Sequence, residues 1–229
     1  MKKILVFRKF GRLRFVGHLD LMRVFQRALR RAGIPLVYSQ GFNPHPLMSF
    51  ASPLPLGVTG EREIMEIELE EDKEDSVILE SLNRELPPGL TILSCRTGCG
   101  SKGAAMARVQ AAEYEILLPE GKDWTALWND FIGQPEILLM KPAKVKGRKQ
   151  QVQVNVKPWI FRQSLEDGRR LCLLCACSSI ETLKPELLLQ AFYQFCDCLE
   201  EQYNEQIVRM ALYSGTKDSL IPLEEDEAL

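Results

Sequence analysis

The chain has 229 residues and a formal net charge of −2, with 45% hydrophobic and 26% charged residues, as is typical of a soluble globular protein of one or two domains. No apolar run approaches the roughly 18–20 residues that a membrane crossing needs, and charged residues return too early at the N-terminus for a signal peptide. Seven cysteines, an odd number, do not suggest a secreted disulfide framework, so we expect a cytoplasmic protein without a membrane partner.

The first half of the chain predicts the element order βαββαβ. Apolar residues from 3 to 16 indicate a strand with a turn near Gly11. Residues 19–32 repeat apolar side chains at helical spacing, and Gly33 and Pro35 end that helix. The second strand, either single or an interrupted pair, is predicted at 36–39 and 48–51 on the two sides of the Gly/Pro loop. The remaining predicted elements are strands at 63–69 and 90–94 and a helix at 77–86. This order is that of a ferredoxin-like fold.

The second half predicts a similar order. Its predicted elements are strands at 112–118, 137–142, 151–160, 170–177 and 207–213 and helices at 124–132 and 184–201. We therefore expect an α+β protein with two ferredoxin-like halves in tandem. The expected boundaries are 1–97 for the first domain, 98–111 for a linker, 112–215 for the second domain and 216–229 for an acidic tail that frays.

The strongest charge asymmetry lies at the N-terminus. The first 31 residues hold ten lysines and arginines against one acid, Asp20, which is a local charge of +9. Such a surface suits a polyanion, although a solvated helix face is the alternative explanation. The candidate RNA-binding residues in this stretch are Arg12, Arg14, Arg23, Arg27, Arg30 and Arg31.

The segment that follows the basic helix combines several residues suited to nucleic-acid recognition. Gly41 and two prolines stiffen the loop 38–46. Phe42 could stack on a base, Asn43 could bond to a base edge, and His45 could donate a proton. His45, and His18 at the start of the basic helix, are also the candidate general acid or base of an enzyme, while a structural role is the alternative for both.

A second basic cluster lies in the middle of the chain. Its candidate RNA-binding residues are Lys144, Lys146, Arg148 and Lys149, flanked by Lys141, Lys157, Trp159 and Phe161. Basic residues with nearby aromatic rings suit single-stranded RNA, and a solvated hairpin is the alternative. Gly98, Gly100 and Gly103 match the letters of a G-x-G-x-x-G motif, but the expected βαβ context is missing, which favours a linker.

The cysteines predict no metal site. An iron–sulfur cluster of a radical SAM enzyme needs three thiolates in a C-x3-C-x2-C run, and neither Cys95-x3-Cys99 nor Cys172-x2-Cys175-x-Cys177 provides one. A zinc site assembled from separate pairs stays open, but its spacings match no standard zinc motif. We expect most of these cysteines to pack as small apolar side chains and expect no cofactor.

The residues 17–63, GHLDLMRVFQRALRRAGIPLVYSQGFNPHPLMSFASPLPLGVTGERE, resemble the signature of a bacterial radical-SAM-linked family, and the resemblance extends over residues 2–213. Members of that family occur as separate chains or as the C-terminal part of cobalamin-binding radical SAM proteins. The resemblance implies a radical SAM protein as partner, but it implies no established activity.

These observations favour a non-catalytic RNA-binding accessory protein that works with a radical SAM enzyme in RNA modification or processing. Two alternatives stay open. The first is a metal-independent endoribonuclease that uses His18 or His45, and the second is a module that binds only protein.

Overall fold

The structure is a computed structural model that describes residues 1–99, 104–145, 148–202 and 205–229. Its fold is mixed α/β, with five α-helices and eleven β-strands in the described residues. These residues divide into two compact units, Met1–Ala112 with Val208–Leu229, and Glu113–Ile207. None of the helices in the described ranges has the length and apolarity that a membrane crossing requires.

The elements in chain order are β1 (Lys2–Lys9), α1 (His18–Arg31), β2 (Met48–Phe50), β3 (Thr59–Glu68), α2 (Asp75–Glu85), β4 (Leu90–Thr97), α3 (Ala104–Arg108), β5 (Ala111–Leu117), α4 (Thr125–Gly133), β6 (Leu138–Val145), β7 (Arg148–Asn155), β8 (Ile160–Glu166), β9 (Arg170–Ala176), α5 (Pro185–Phe195), β10 (Gln206–Thr216) and β11 (Ser219–Pro222).

Strand β1 lies at the centre of the sheet in the first unit. It pairs antiparallel with β3 on one side and with β4 on the other. The second edge of β3 is shared, because β2 pairs antiparallel with residues 65–67 while β10 runs parallel beside Thr59 and Gly60. Apolar residues of α1 and α2 pack with those of β1 to β4 in one core cluster. This packing places α1 on the sheet with its other side in solvent.

The prediction of the basic helix is confirmed, with a shift of one residue. Leu21, Phe25 and Leu29 of α1 are buried, and the ring of Phe25 lies 5.1 Å from that of Phe7 in an edge-to-face arrangement. Gly33 follows with a φ of 66°, the left-handed conformation that ends a helix without steric cost when no Cβ is present.

The prediction of one strand over 3–16 is wrong in its second part. β1 ends at Lys9, and Gly11 (φ 60°) starts a 3₁₀ helix, Gly11–Phe15. The ammonium of Lys9 donates to the carbonyl of Val16 at 2.9 Å. This bond gives the buried ammonium a hydrogen-bond acceptor and so stabilises the turn from β1 into the 3₁₀ helix.

In the second unit β9 lies between β5 and β8, and β6 pairs with β7 in a separate two-stranded hairpin. Helices α4 and α5 join through an aromatic cluster in which the rings of Trp128 and Phe192 are 5.1 Å apart. The prediction of one strand over 151–160 is wrong. Asn155 ends β7, because its side-chain oxygen accepts from the amides of Ile137 and Lys157 and so starts a turn before β8.

The helix predicted over 184–201 ends early, at Phe195. Asp197 has a φ of 53°, which no helix continues through. The acidic tail is also different from its prediction, because Leu223 and Leu229 are fully buried rather than frayed. The two compact units differ from the expected domain boundaries as well, since residues 208–229 group with the N-terminal residues.

Candidate nucleic-acid interface

Half of the ten basic residues in the first 31 are ion-paired within the first unit. Their carboxylate partners lie 2.5 to 2.8 Å away and come mostly from residues 61–85; the pairs are Lys2–Glu66, Lys3–Asp75, Arg8–Glu61, Arg23–Asp20 and Arg31–Glu85. The ammonium of Lys9 is buried as well. The pairs therefore compensate about half of the positive charge in this stretch, and they also neutralise part of the acidic segment 61–85.

Arg27 and Arg30 differ from these five paired residues. Both are exposed on α1, and among the described residues neither has a hydrogen-bond or ion-pair partner. They are three residues apart and so are neighbours on the helix surface, where like charges repel. An uncompensated pair of this kind is a natural contact for the phosphates of a ligand.

The other two candidates of this stretch lie in the 3₁₀ helix after β1. Arg12 is exposed, and the guanidinium of Arg14 lies 4.8 Å from the centre of the Phe15 ring. Phe15 is itself 62% exposed. The segment therefore offers a cation and an aromatic ring side by side.

A groove of about 580 Å³ runs beside the C-terminal half of α1. Its lining includes Arg30 from the helix, Tyr38 and Pro46 from the loop that follows, and Glu70 just after β3. Tyr38 and Pro46 form an antiparallel bridge, which closes the loop at its base. Arg30 and the loop thus border one concave surface.

Ser39 organises the tip of that loop. Its hydroxyl oxygen accepts from the backbone amide of His45 at 3.1 Å and lies 2.8 Å from Nδ1 of the same residue. Phe42 is fully exposed and Asn43 is exposed, so both are available to a ligand. The expected loop residues are therefore presented together on a closed turn.

The two histidines have different environments. His18 is half-buried, with its ring 5.4 Å from that of Phe50 in an edge-to-face contact, whereas His45 is exposed and bonded to Ser39. Within the described residues no hydrogen bond or ring contact joins them. The structure does not bring the candidate catalytic residues together as a pair.

The second basic cluster lies on the β6–β7 hairpin of the second unit. In the strand register, Lys144 lies opposite Lys149 and Val145 lies opposite Arg148, at the end of the hairpin. Lys146 and the side chains of Lys144, Arg148 and Lys149 lie outside the described part of the chain. Lys141 has a structural contact, since its ammonium lies 4.2 Å from the Trp159 ring and donates to a backbone carbonyl. Burial lowers the pKa of Lys141, and the nearby charge of Lys184 lowers it further.

Of the cysteines, only Cys175 is buried; Cys99 is exposed and the other five are half-buried. All seven are free thiols, and no group of three potential ligands that could hold a metal ion occurs among the described residues. Burial raises the pKa of Cys95 to about 12, and burial also raises the pKa of Cys175. Of the glycine motif, Gly100 and Gly103 lie outside the described residues.

Sequence reasoning missed two residues of the groove, Gln26 and Glu70. Gln26 lies one helical turn before Arg30 and so shares its side of α1, a signal that the charge pattern obscured. Glu70 lies two residues after the end of β3, but no local pattern places it near α1. Its position depends on the bond from its amide to the carbonyl of Pro35 at 3.2 Å.

Comparison with known proteins gives one family and distant structural similarity. A sequence profile described as "Uncharacterized protein conserved in bacteria (DUF2344)" matches residues 2–185. A chain from the "Crystal Structure of a Cbf5-Nop10-Gar1 Complex" is similar at 10% identity and a TM-score of 0.45, over 92% of this chain and 48% of that one. The present chain thus spans about half the length of that chain. Comparison with curated proteins finds no match.

Proposed function

This chain belongs to the bacterial family DUF2344, and we propose that it is a cytoplasmic, non-catalytic RNA-binding protein that works with a radical SAM enzyme. The observation that carries the RNA-binding part is the uncompensated pair Arg27 and Arg30. Repulsion between neighbouring arginines costs helix stability, and the phosphates of a bound RNA offset that cost.

The surroundings of the pair fit single-stranded RNA. Exposed rings are needed to stack on unpaired bases, and Phe42 and Phe15 are both exposed in the same unit. The Gly and Pro residues of the loop and the bridge between Tyr38 and Pro46 reduce the entropy that binding must remove. In the second unit, the basic residues of the β6–β7 hairpin are a further candidate contact with RNA.

We also propose that the fold is a pair of ferredoxin-like halves. In support, β1 to β4 with α1 and α2 follow the order βαββαβ, with strand order β4-β1-β3-β2. The elements β5, α4, β8, β9, α5 and β10 repeat that order along the chain, with the β6–β7 hairpin inserted. Sheets of this kind are common platforms for RNA.

The partner part of the proposal depends on the resemblance of residues 17–63 to radical-SAM-linked proteins, which occur as separate chains or as the C-terminal part of cobalamin-binding radical SAM proteins. Modification or processing of RNA is the activity that would join the two proteins. Co-purification of the tagged chain with a cobalamin-binding radical SAM protein from the same bacterium, before and after ribonuclease treatment, tests it. If the two proteins do not co-purify either before or after ribonuclease treatment, the partner part is wrong.

The RNA-binding part is tested by charge reversal on α1. We expect Arg27→Glu/Arg30→Glu to weaken binding to a single-stranded RNA and to make the slope of log K against log salt shallower by roughly 1.4, because two phosphate contacts are lost. The matched control is Lys73→Glu/Arg84→Glu, which changes the net charge equally on the acidic segment. Fluorescence anisotropy at several salt concentrations measures both quantities.

Equal affinity and slope for the folded double variant and the wild type would overturn the assignment of α1. The same RNA also tests the nuclease alternative. Cleavage that disappears in His18→Ala or His45→Ala would show that the chain is an enzyme. Absence of RNA binding together with a stable complex with the radical SAM protein would favour the protein-binding alternative.

A further inference from the structure

The groove beside α1 has walls that are fixed by the fold. Leu29 is fully buried at one wall, and its carbonyl accepts from the amide of Ile34 at 3.0 Å, just past the end of the helix. The opposite side is held by the bridge between Tyr38 and Pro46. A concave site of about 580 Å³ lies within the size range of ligand pockets, about 300–1,000 Å³.

Four polar side chains line this groove without an internal partner. Gln26, Arg30, Tyr38 and Glu70 have no side-chain hydrogen bond or ion pair within the residues that the structure describes. Their remaining surroundings are apolar, with Leu29 and Leu36 in the lining. One amide, one cation, one phenol ring and one carboxylate therefore face the same space around an apolar surface, which is how a specific ligand site differs from a core.

We propose that this groove binds a single unstacked guanine of the bound RNA. The inference rests on the proposed RNA-binding function and adds a base preference to it. Tyr38 offers a ring for stacking, and Glu70 offers a carboxylate that accepts from the N1–H and N2–H2 groups of guanine. Arg30 offers paired donors for O6 and N7, or for the adjoining phosphate.

The charges in the groove disfavour the other bases. Adenine places an acceptor, N1, next to its amino group and so repels one oxygen of a carboxylate. Uracil offers a carboxylate only one donor, its ring N–H, which lies between two carbonyl oxygens. Cytosine offers only its amino group, which lies beside an acceptor. Guanine combines two adjacent donors with two adjacent acceptors, so it alone satisfies both Glu70 and Arg30.

The experiment compares four 12-nucleotide RNAs, a uridine oligomer and the same oligomer with a central G, A or C. Fluorescence anisotropy at one salt concentration should give about tenfold tighter binding for the G oligomer, the lower end of what one well-matched base contact discriminates. Glu70→Gln should reduce the affinity for the G oligomer to that for the uridine oligomer. Glu71→Gln, a change of the exposed neighbouring carboxylate, should retain the preference.

Tyr38→Ala should weaken binding of the G oligomer, and Tyr38→Phe, which keeps the ring, should restore it. Equal affinity of the wild type for all four oligomers, or a guanine preference that survives in Glu70→Gln, would overturn the guanine site and leave RNA binding in place. Failure of the wild type to bind any oligomer would overturn the proposed function as well. Thermal unfolding of each variant shows whether a loss of binding comes from a loss of folded protein, and Tyr38→Phe and Glu70→Gln are the variants that preserve size and shape.

Discussion

Glu63 and Arg209 form an ion pair that is almost wholly buried. The guanidinium donates from Nε to one carboxylate oxygen of Glu63 at 2.8 Å and from Nη2 to the other at 2.5 Å, and it also bonds to the carbonyl of Ser52 at 2.9 Å. The ammonium of Lys9 is buried too; burial lowers its pKa, while the charge of Glu63 raises it and that of Arg209 lowers it. The single carboxylate of Glu63 thus balances the charges of Lys9 and Arg209.

Removing one member of this cluster should therefore be costly. We expect Arg209→Met to lower the free energy of unfolding by about 3–5 kcal/mol, because Glu63 is left buried without its partner. Glu63→Leu should cost more, since it leaves Lys9 and Arg209 together without a compensating charge. Urea unfolding measures both, and the double variant should lose less than the two single losses added together. A cost below about 1 kcal/mol for either single variant would contradict this account of the cluster.

Single residues also show where sequence reasoning stops. The count of charges in residues 1–31 is correct, but a count does not say which charges are paired. The partner of Lys3 is Asp75 and that of Arg31 is Glu85, each more than fifty residues away. Only the folded unit brings them together, and only then do Arg12, Arg27 and Arg30 emerge as exposed arginines without an ion-pair partner among the described residues. The same limit hid Glu70, because its place in the groove is set by packing between distant segments.

At the level of elements, local patterns predicted α1 well. Its apolar side, Gly33 and Pro35 all point to one helix with one end, and packing on the sheet agrees with each of them. The prediction of one strand over 151–160 was wrong because the local pattern and the tertiary contacts disagree at the boundary between β7 and β8. Alternating Val152, Val154 and Val156 suggest one continuing strand, but the two bonds to the side chain of Asn155 favour a turn.

The end of α1 gives a prediction at this scale. Gly33→Ala should lower the free energy of unfolding by about 1 kcal/mol, because a Cβ is unfavourable at a φ of 66°. In the part of the chain that the structure describes, and apart from the immediate neighbours of Gly33, no heavy atom lies within 4 Å of the position that this Cβ would take, so the cost comes from the backbone rather than from a clash.

Urea unfolding of Gly33→Ala should be compared with Gly133→Ala. Gly133 is the last residue of α4, has no left-handed φ and has equally open surroundings. There alanine should be neutral or stabilising by a few tenths of a kcal/mol, because it restricts the unfolded chain. An equal loss in both variants would contradict the conformational explanation.

For the molecule as a whole, the topology of the first unit could not be predicted from local patterns. The sequence order of strands was largely correct, but the pairing of β10 with β3 joins residues about 150 positions apart. The acidic composition of the C-terminal residues suggested fraying. Instead, Arg62 pairs with Glu224 and Arg108 with Asp226, so charge that looks solvated in sequence holds the segment to the unit.

Asp226 makes the stability of this unit sensitive to acid. Its carboxylate accepts from Nε and Nη2 of Arg108 at 2.6 and 2.9 Å and from the amide of Ala228 at 3.0 Å. Burial acts to raise the pKa of Asp226, but the hydrogen bonds that its carboxylate accepts and the charge of Arg108 together outweigh burial, so the pKa is lower than its usual 3.8. A carboxyl group with a lowered pKa in the folded state binds fewer protons there than in the unfolded state. Its stabilising contribution is therefore complete above 3.8 and is lost as the pH falls through the folded pKa.

We therefore expect Asp226→Asn to lower the free energy of unfolding by roughly 1.5–3 kcal/mol at pH 7, the usual contribution of hydrogen bonds to a charged group. The difference from the wild type should shrink as the pH is taken below 3.8, because Asp226 of the unfolded wild type is protonated first and the folded carboxylate follows at its lower pKa. Urea unfolding at a series of pH values measures this difference. Glu225→Gln, at an exposed neighbouring position, is the control and should differ little from the wild type at any pH. A difference between Asp226→Asn and the wild type that is independent of pH down to 2.5 would show that the charge of Asp226 does not stabilise the C-terminal segment.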